Sequence, residues 1–106
     1  VMGVGPIPAV QNLLKNTGLS ISDFDVIESN EAFAAQAIAV NRGLDLDPKV
    51  VNPNGGAIAL GHPVGATGAI ITLKALYQLE IINATRALIT MCIGGGQGIA
   101  LAIERI

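Results

Sequence analysis

Three positions in this chain join a reactive or hydrogen-bonding side chain to a glycine-rich or element-terminal setting, where a rigid scaffold and ligand access coincide. Cys92 closes an apolar run and opens onto Ile93-Gly94-Gly95-Gly96-Gln97-Gly98. A thiol that leaves a strand into bare backbone is open to a substrate, and the amides of such a tract can hold an oxyanion. The same pattern also fits an inert core thiol beside a permissive hairpin turn. His62, the one histidine, stands in Gly55-Gly56-Ala57-Ile58-Ala59-Leu60-Gly61-His62-Pro63-Val64-Gly65-Ala66-Thr67-Gly68. Glycines on both sides allow another backbone or a ligand to come close, Pro63 sets the chain direction, and the following helix offers amide donors to an anionic group. An imidazole so placed suits donation of a hydrogen bond to developing negative charge, although lone histidines also serve as structural or merely exposed residues. Asn30 sits where a strand meets a helix, either as an N-cap or as a positioned amide that holds a water or a carbonyl.

The elements that must position these groups are legible from periodicity. Val10, Leu13 and Leu14 mark a short amphipathic helix over 8–16, stopped by Gly18. Ser20 to Asp25 reads as a turn, and Val26-Ile27 as a short buried strand ending near Ser29. From Glu31 to Arg42 the residues are helix formers, with Ala34, Ile38, Ala35 and Ala39 forming a small-residue face for close packing. Val50-Val51 reads as the next strand, broken by Asn52-Pro53-Asn54-Gly55-Gly56. A second long helix starts at Gly65 or Ala66 and runs to Glu80, with Ile70, Leu73, Leu76 and Tyr77 at helical spacing. Arg86 to Cys92 and Ile99 to Ile103 are β-type runs around a glycine turn, which predicts an antiparallel hairpin. The expected fold is α/β: a mixed sheet covered by helices and ending in that hairpin.

Composition removes several classes of function. Hydrophobic residues make up 51% and charged ones 13%, with only Phe24, Phe33 and Tyr77 aromatic, so a packed aliphatic core is expected rather than a disordered chain. A net charge of -2 offers no electrostatic footprint for a nucleic acid or an anionic membrane. The stretch between Lys49 and Lys74 lacks formal charge, but Pro53, Pro63, Asn52, Asn54 and His62 interrupt it, which argues for strand, loop and buried helix over a membrane span. The opening residues lack the basic start and long apolar run of a signal peptide, so a cytoplasmic protein is the default expectation. One cysteine cannot form an internal disulfide, and one His with one Cys cannot complete a zinc site. Gly94 and Gly96 lack a third glycine at position 99, where Ile99 stands, and no helix follows, so the tract is not a dinucleotide fingerprint. The length suits one domain, and the chain opens on Val1 within what reads as an apolar strand, so an incomplete first strand is expected.

Asn30-Glu31-Ala32-Phe33, Gly61-His62-Pro63 and Cys92-Ile93-Gly94-Gly95-Gly96, in that order, resemble the three C-terminal signatures of thiolases. The resemblance covers nearly the whole chain, 1–106, and looks most like the acetoacetyl-CoA branch, the acetyl-CoA acetyltransferases. It implies a thiolase C-terminal domain, a two-step Claisen chemistry on coenzyme A thioesters, acetyl-CoA and acetoacetyl-CoA as substrates, and no resident cofactor. By resemblance, His62 activates a nucleophilic cysteine and Cys92 moves the α-proton of the second acetyl-CoA. Asn30 holds a water that, with His62, stabilises the enolate. The Gly94 amide joins a second oxyanion hole, and Phe33 lines the pantetheine channel. A thiol with an ordinary pKa of about 8.5 needs only a modest shift to work as a base near neutrality. The nucleophile itself belongs to the family's N-terminal domain, for which this chain has no second cysteine. The resemblance therefore implies half an active site, inactive alone, with the N-terminal domain as partner and a homo-oligomer as the working form. The alternative is a non-catalytic thiolase fragment, an interaction module or degraded remnant. A β-ketoacyl synthase fits less well, because those related enzymes use two histidines.

Overall fold

The computed structural model describes residues 3–94 and 96–106. Val1 and Met2, with the strand expected there, lie outside the described residues, as does Gly95 of the glycine tract. The element order is α1 (Pro6–Thr17), a 3-10 turn (Ile21–Asp23), β1 (Val26–Ser29), α2 (Ala34–Gly43), α3 (Ala57–Leu60), α4 (Thr67–Ile81), β2 (Arg86–Cys92) and β3 (Gly98–Glu104). Among the described residues, three strands form one mixed sheet in the order β1-β2-β3. β1 runs parallel to β2, with Ile27 opposite Leu88, and β2 pairs antiparallel with β3, with Cys92 opposite Gly98. This is the α/β arrangement and terminal hairpin that the apolar runs predict.

Alternation along the strands sends successive side chains to opposite faces, and each face has its own core. Ile27 and Leu88 pack with Val10 of α1, Val40 and Leu44 of α2, and Phe24. Val26, Ala87 and Ile89 pack with Ile71, Ala75 and Leu79 of α4. Covered on both sides, β1 is buried along its whole length, as expected of a strand in a parallel pair. α1 begins with Pro6 at its first position and ends where the Gly18 amide donates to the Leu14 carbonyl at 2.9 Å, closing the last turn. Its start crosses the hairpin closely. A Cβ added at Gly5 would meet the Gln97 backbone, and one at Gly98 would meet the backbone of Gly5.

Several expectations are corrected. Val50-Val51 does not form a strand of its own; Val51 makes an isolated parallel bridge to Ile27, on the side of β1 away from β2. α2 begins at Ala34, not Glu31, because Asn30 still follows the sheet, its amide donating to Thr90 O at 3.0 Å. α2 buries Gln36, Ala37 and Val40, while Ala34, Ala35 and Ile38 of the expected packing face are exposed. α3 was not foreseen. α4 buries Thr67, Ile71, Ala75 and Leu79, whereas Ile70, Leu73, Leu76 and Tyr77, the stripe that periodicity singles out, face outward. With 63% exposure at Tyr77 and 74% at Ile81, this helix carries a second apolar face with nothing packed on it among the described residues.

Exposed apolar surface on this scale drives association. The isolated chain is expected to self-associate. Sedimentation of the Leu73→Lys, Tyr77→Lys double variant checks the assignment: it should run as a monomer at concentrations where the parent chain does not, and an unchanged profile would place the sticky surface elsewhere.

Candidate active site

β1 is apolar at its start and polar at its end, and the polar residues are buried. Glu28 is 1% exposed, and Ser29 and Asn30 are nearly as inaccessible. Such groups are costly unless paired, so the surrounding loops are drawn to them. Lys74 of α4 reaches across to Glu28, Nζ to Oε1 at 3.4 Å, and also donates a hydrogen bond to the Gly55 carbonyl. Burial pushes the Glu28 carboxyl above its ordinary 4.5, Lys74 pulls it partway back, and the nearby Glu31 adds to the rise. Asn52 acts as a surrogate strand. Its Oδ1 accepts from Ser29 N at 2.9 Å and its Nδ2 donates to Ser29 O at 2.8 Å, with the backbone of Asn52 at φ 46. Ser29 is thereby fixed immediately before Asn30. Glu31, the next residue, turns back so that its carboxylate accepts from Ile58 N in the first turn of α3 at 3.3 Å.

These contacts pull the 52–66 loop against the end of β1, and the loop carries His62. The ring is half-buried, and its Nδ1 lies 2.6 Å from the Thr67 hydroxyl at the first turn of α4. Thr67 is itself buried and its Oγ1 donates to Pro63 O at 3.0 Å. A small cavity of about 30 Å³, lined by Glu28, Asn30, Asn52, Gly61, Pro63 and Thr67 among others, lies between β1 and this loop. Asn30 is therefore not an N-cap: Phe33 holds that position in extended conformation, and the Asn30 side chain is buried with its Nδ2 unpartnered among the described residues.

Cys92 is the last residue of β2, half-buried, at the same end of the sheet. The start of α4 reaches that end too, since a Cβ at Gly68 would sit 3.8 Å from Met91 Sδ. The hairpin turn closes through Ile93 N to Gln97 O at 3.1 Å and Gln97 N to Gly94 O at 3.0 Å. Gly94 is exposed and takes φ 82, a left-handed conformation that favours glycine. Phe33 is 43% exposed beside Gly3. Asn30, the His62 loop, Cys92 and Gly94 thus lie toward the C-terminal ends of the parallel strands, although of these only Asn30 and loop residues such as Gly61 and Pro63 line the small cavity, and His62 itself, Cys92 and Gly94 do not. A larger cleft of about 500 Å³, bordered by Phe24, Asp25, Asp45, Asp47 and Val50, opens at the opposite end of β1 and includes none of these residues. Sequence reasoning missed Glu28, Lys74, Asn52 and Thr67 as supports. Only the charge of Glu28 inside an apolar run gave a signal.

A half-buried imidazole and a strand-end thiol beside a glycine turn lie toward one end of the sheet, and the whole chain agrees with one family. Residues 1–105 match the thiolase C-terminal domain, and the chain belongs to the thiolase family. It is 63% identical over 105 residues to the beta-ketothiolase BktB of Cupriavidus necator, covering 99% of this chain and 27% of that protein. It is 55% identical over 106 residues to the acetyl-CoA acetyltransferase of Escherichia coli, covering 100% of this chain and 27% of that protein. Human mitochondrial 3-ketoacyl-CoA thiolase, in a crystal structure with CoA, superposes with a TM-score of 0.96 at 51% identity, over 99% of this chain and 27% of that one. The chain thus spans about a quarter of the length of the relatives it matches.

Three substitutions test this scaffold. Asn52→Ala strands both backbone groups of Ser29 and should cost about 1–3 kcal/mol by urea unfolding. Lys74→Met leaves the Glu28 carboxylate buried without its cation, for a loss of about 3 kcal/mol at pH 7 that shrinks in acid as Glu28 takes up a proton. A carboxyl raised on folding holds its proton longer in the folded state, so its contribution to stability falls as pH rises from 4.5 through the raised value. Glu28→Gln should remove that slope, and an unchanged pH profile would count against the raised carboxyl.

Proposed function

We propose that this chain is the C-terminal catalytic part of an acetyl-CoA acetyltransferase, acting with an N-terminal part that supplies the nucleophilic cysteine and packs on the outward apolar face of α4. The observation that carries this reading is the convergence of Asn30, His62, Cys92 and Gly94 at one end of the sheet, on a chain that belongs to the thiolase family.

In the first half-reaction His62 Nε2 takes the proton of the nucleophilic thiol. The thiolate attacks the acetyl carbonyl, the carbon–sulfur bond to coenzyme A breaks, and the departing thiolate takes a proton from Cys92. In the second, the Cys92 thiolate removes an α-proton from another acetyl-CoA. The enolate oxygen is held by His62 Nε2–H and by a water on Asn30. The enolate carbon then forms the new carbon–carbon bond at the acetyl carbonyl, whose oxygen accepts from the Gly94 amide. The thioester to the nucleophile breaks, and His62 returns its proton to that sulfur. Every proton is accounted for and both groups end as they began. Phe33, partly exposed on the same side, lines the path of the pantetheine arm.

The test replaces the matching C-terminal quarter of the Escherichia coli acetyltransferase with this chain. The chimera should cleave acetoacetyl-CoA with coenzyme A. His62→Ala should lower both acetylation and condensation by about 10²-fold or more, the usual weight of a general base. Cys92→Ser should slow condensation far more than single-turnover acetylation, because a serine hydroxyl is too weak an acid to share the α-proton near neutrality. The chain alone should retain no label from acetyl-CoA. Turnover by the chain alone would overturn the half-site reading, and a folded but inactive chimera would favour a non-catalytic module.

A further inference from the structure

We propose that Thr67 is a positioning residue that holds His62 in the Nδ1–H tautomer and so keeps Nε2 as the proton acceptor. The proposal deepens the reading of His62 as a base and rests on it.

The hydroxyl of Thr67 stands between two neighbours, His62 Nδ1 at 2.6 Å and Pro63 O at 3.0 Å. It has one proton. A carbonyl can only accept, so giving that proton to Pro63 leaves an oxygen lone pair facing Nδ1, which must then carry the ring proton. Both contacts are hydrogen bonds in that arrangement. The reverse, with Thr67 donating to the ring, leaves the Thr67 and Pro63 oxygens, both partly negative, facing one another at 3.0 Å with no proton between them, while the carbonyl keeps the Ala66 and Thr67 amides as its donors. The hydroxyl has little freedom to escape the choice. Thr67 is 2% exposed, and its own amide donates to the same Pro63 carbonyl at 2.9 Å.

The tautomer of a neutral histidine is set by what its other nitrogen bonds to. With Nδ1–H held by Thr67, the lone pair of Nε2 is available to take a proton. When it has done so, the imidazolium still gives Nδ1–H to the same oxygen, so the ring passes through both protonation states without turning. Thr67 thus serves the acid and the base form of His62 from one position.

Because His62 is the one histidine, nitrogen-15 labelling of histidine gives a spectrum of this ring alone. Solid-state spectra of the full chain tolerate self-association, and proton-bearing and bare ring nitrogens resonate far apart. At a pH where the ring is neutral, Nδ1 should carry the proton and Nε2 should be bare. Thr67→Ser should preserve that pattern and Thr67→Val should populate the Nε2–H form. In the chimera, Thr67→Val should lower kcat about tenfold with KM little changed, and Thr67→Ser should restore it. An Nε2–H ring in the parent chain overturns the proposal, as does an unchanged tautomer in a folded Thr67→Val variant. Should that variant not fold, the parent spectrum decides. The spectrum judges the tautomer, whereas the acetylation rate of the His62→Ala chimera judges the base, so the two readings fail separately.

Discussion

A carboxylate buried at the end of an apolar strand must find a cation or give up its charge, and Glu28 finds Lys74. The same ammonium group holds the Gly55 carbonyl, so one pairing ties β1, α4 and the start of the glycine loop together. Around it, Asn52 fixes Ser29, and Glu31 holds the first turn of α3. The loop that bears His62 has neither an internal core nor a formal charge of its own. Its placement comes from polar groups on β1 that would otherwise be buried without partners. The site end of the domain is therefore organised around buried polarity that is only partly satisfied, with Glu28 Oε2 and Asn30 Nδ2 left without partners among the described residues, and the rest of the sheet by aliphatic packing on its two faces.

That division explains how much was legible in the sequence. The strands, the hairpin and the presence of the long helices follow from apolar runs and breakers, and β1 and β2 lie close to where Val26-Ile27 and the 86–92 run place them. The face of α4 did not follow. A helix apolar around most of its circumference has no single stripe, so Ile70 and Tyr77 share a spacing as regular as that of the buried Ile71, Ala75 and Leu79. The start of α2 failed for a different reason. Glu31 to Phe33 have helix-compatible residues, but Asn30 continues the ladder to Thr90 and Glu31 is engaged with Ile58, so the backbone turns only at Ala34.

The candidate site shows the same limit. His62, Cys92 and Asn30 stand out as residue types in permissive settings, and the structure sets all three at the ends of the parallel strands or in the loop against them. Thr67 and Asn52 do not stand out, because a threonine opening a helix and an asparagine in a turn are ordinary choices. Their importance comes from the folding back of the loop, which brings Thr67 Oγ1 to the ring and the Asn52 amide to both backbone groups of Ser29. Supporting residues of this kind are defined by geometry between segments, which the spacing within one segment does not contain.

The crossing of Gly5 over Gly98 has a consequence for how this domain can diverge. A side chain at Gly5 would run into the Gln97–Gly98 backbone and one at Gly98 into the Gly5–Pro6 backbone, so either one forces the two segments apart. Since Gly98 faces Cys92 across the hairpin, any lineage that separated these backbones would also move the base of the turn bearing Gly94. The crossing is thus a point where no side chain can be added without moving a backbone, unlike Gly65, where an added Cβ meets nothing within 4 Å.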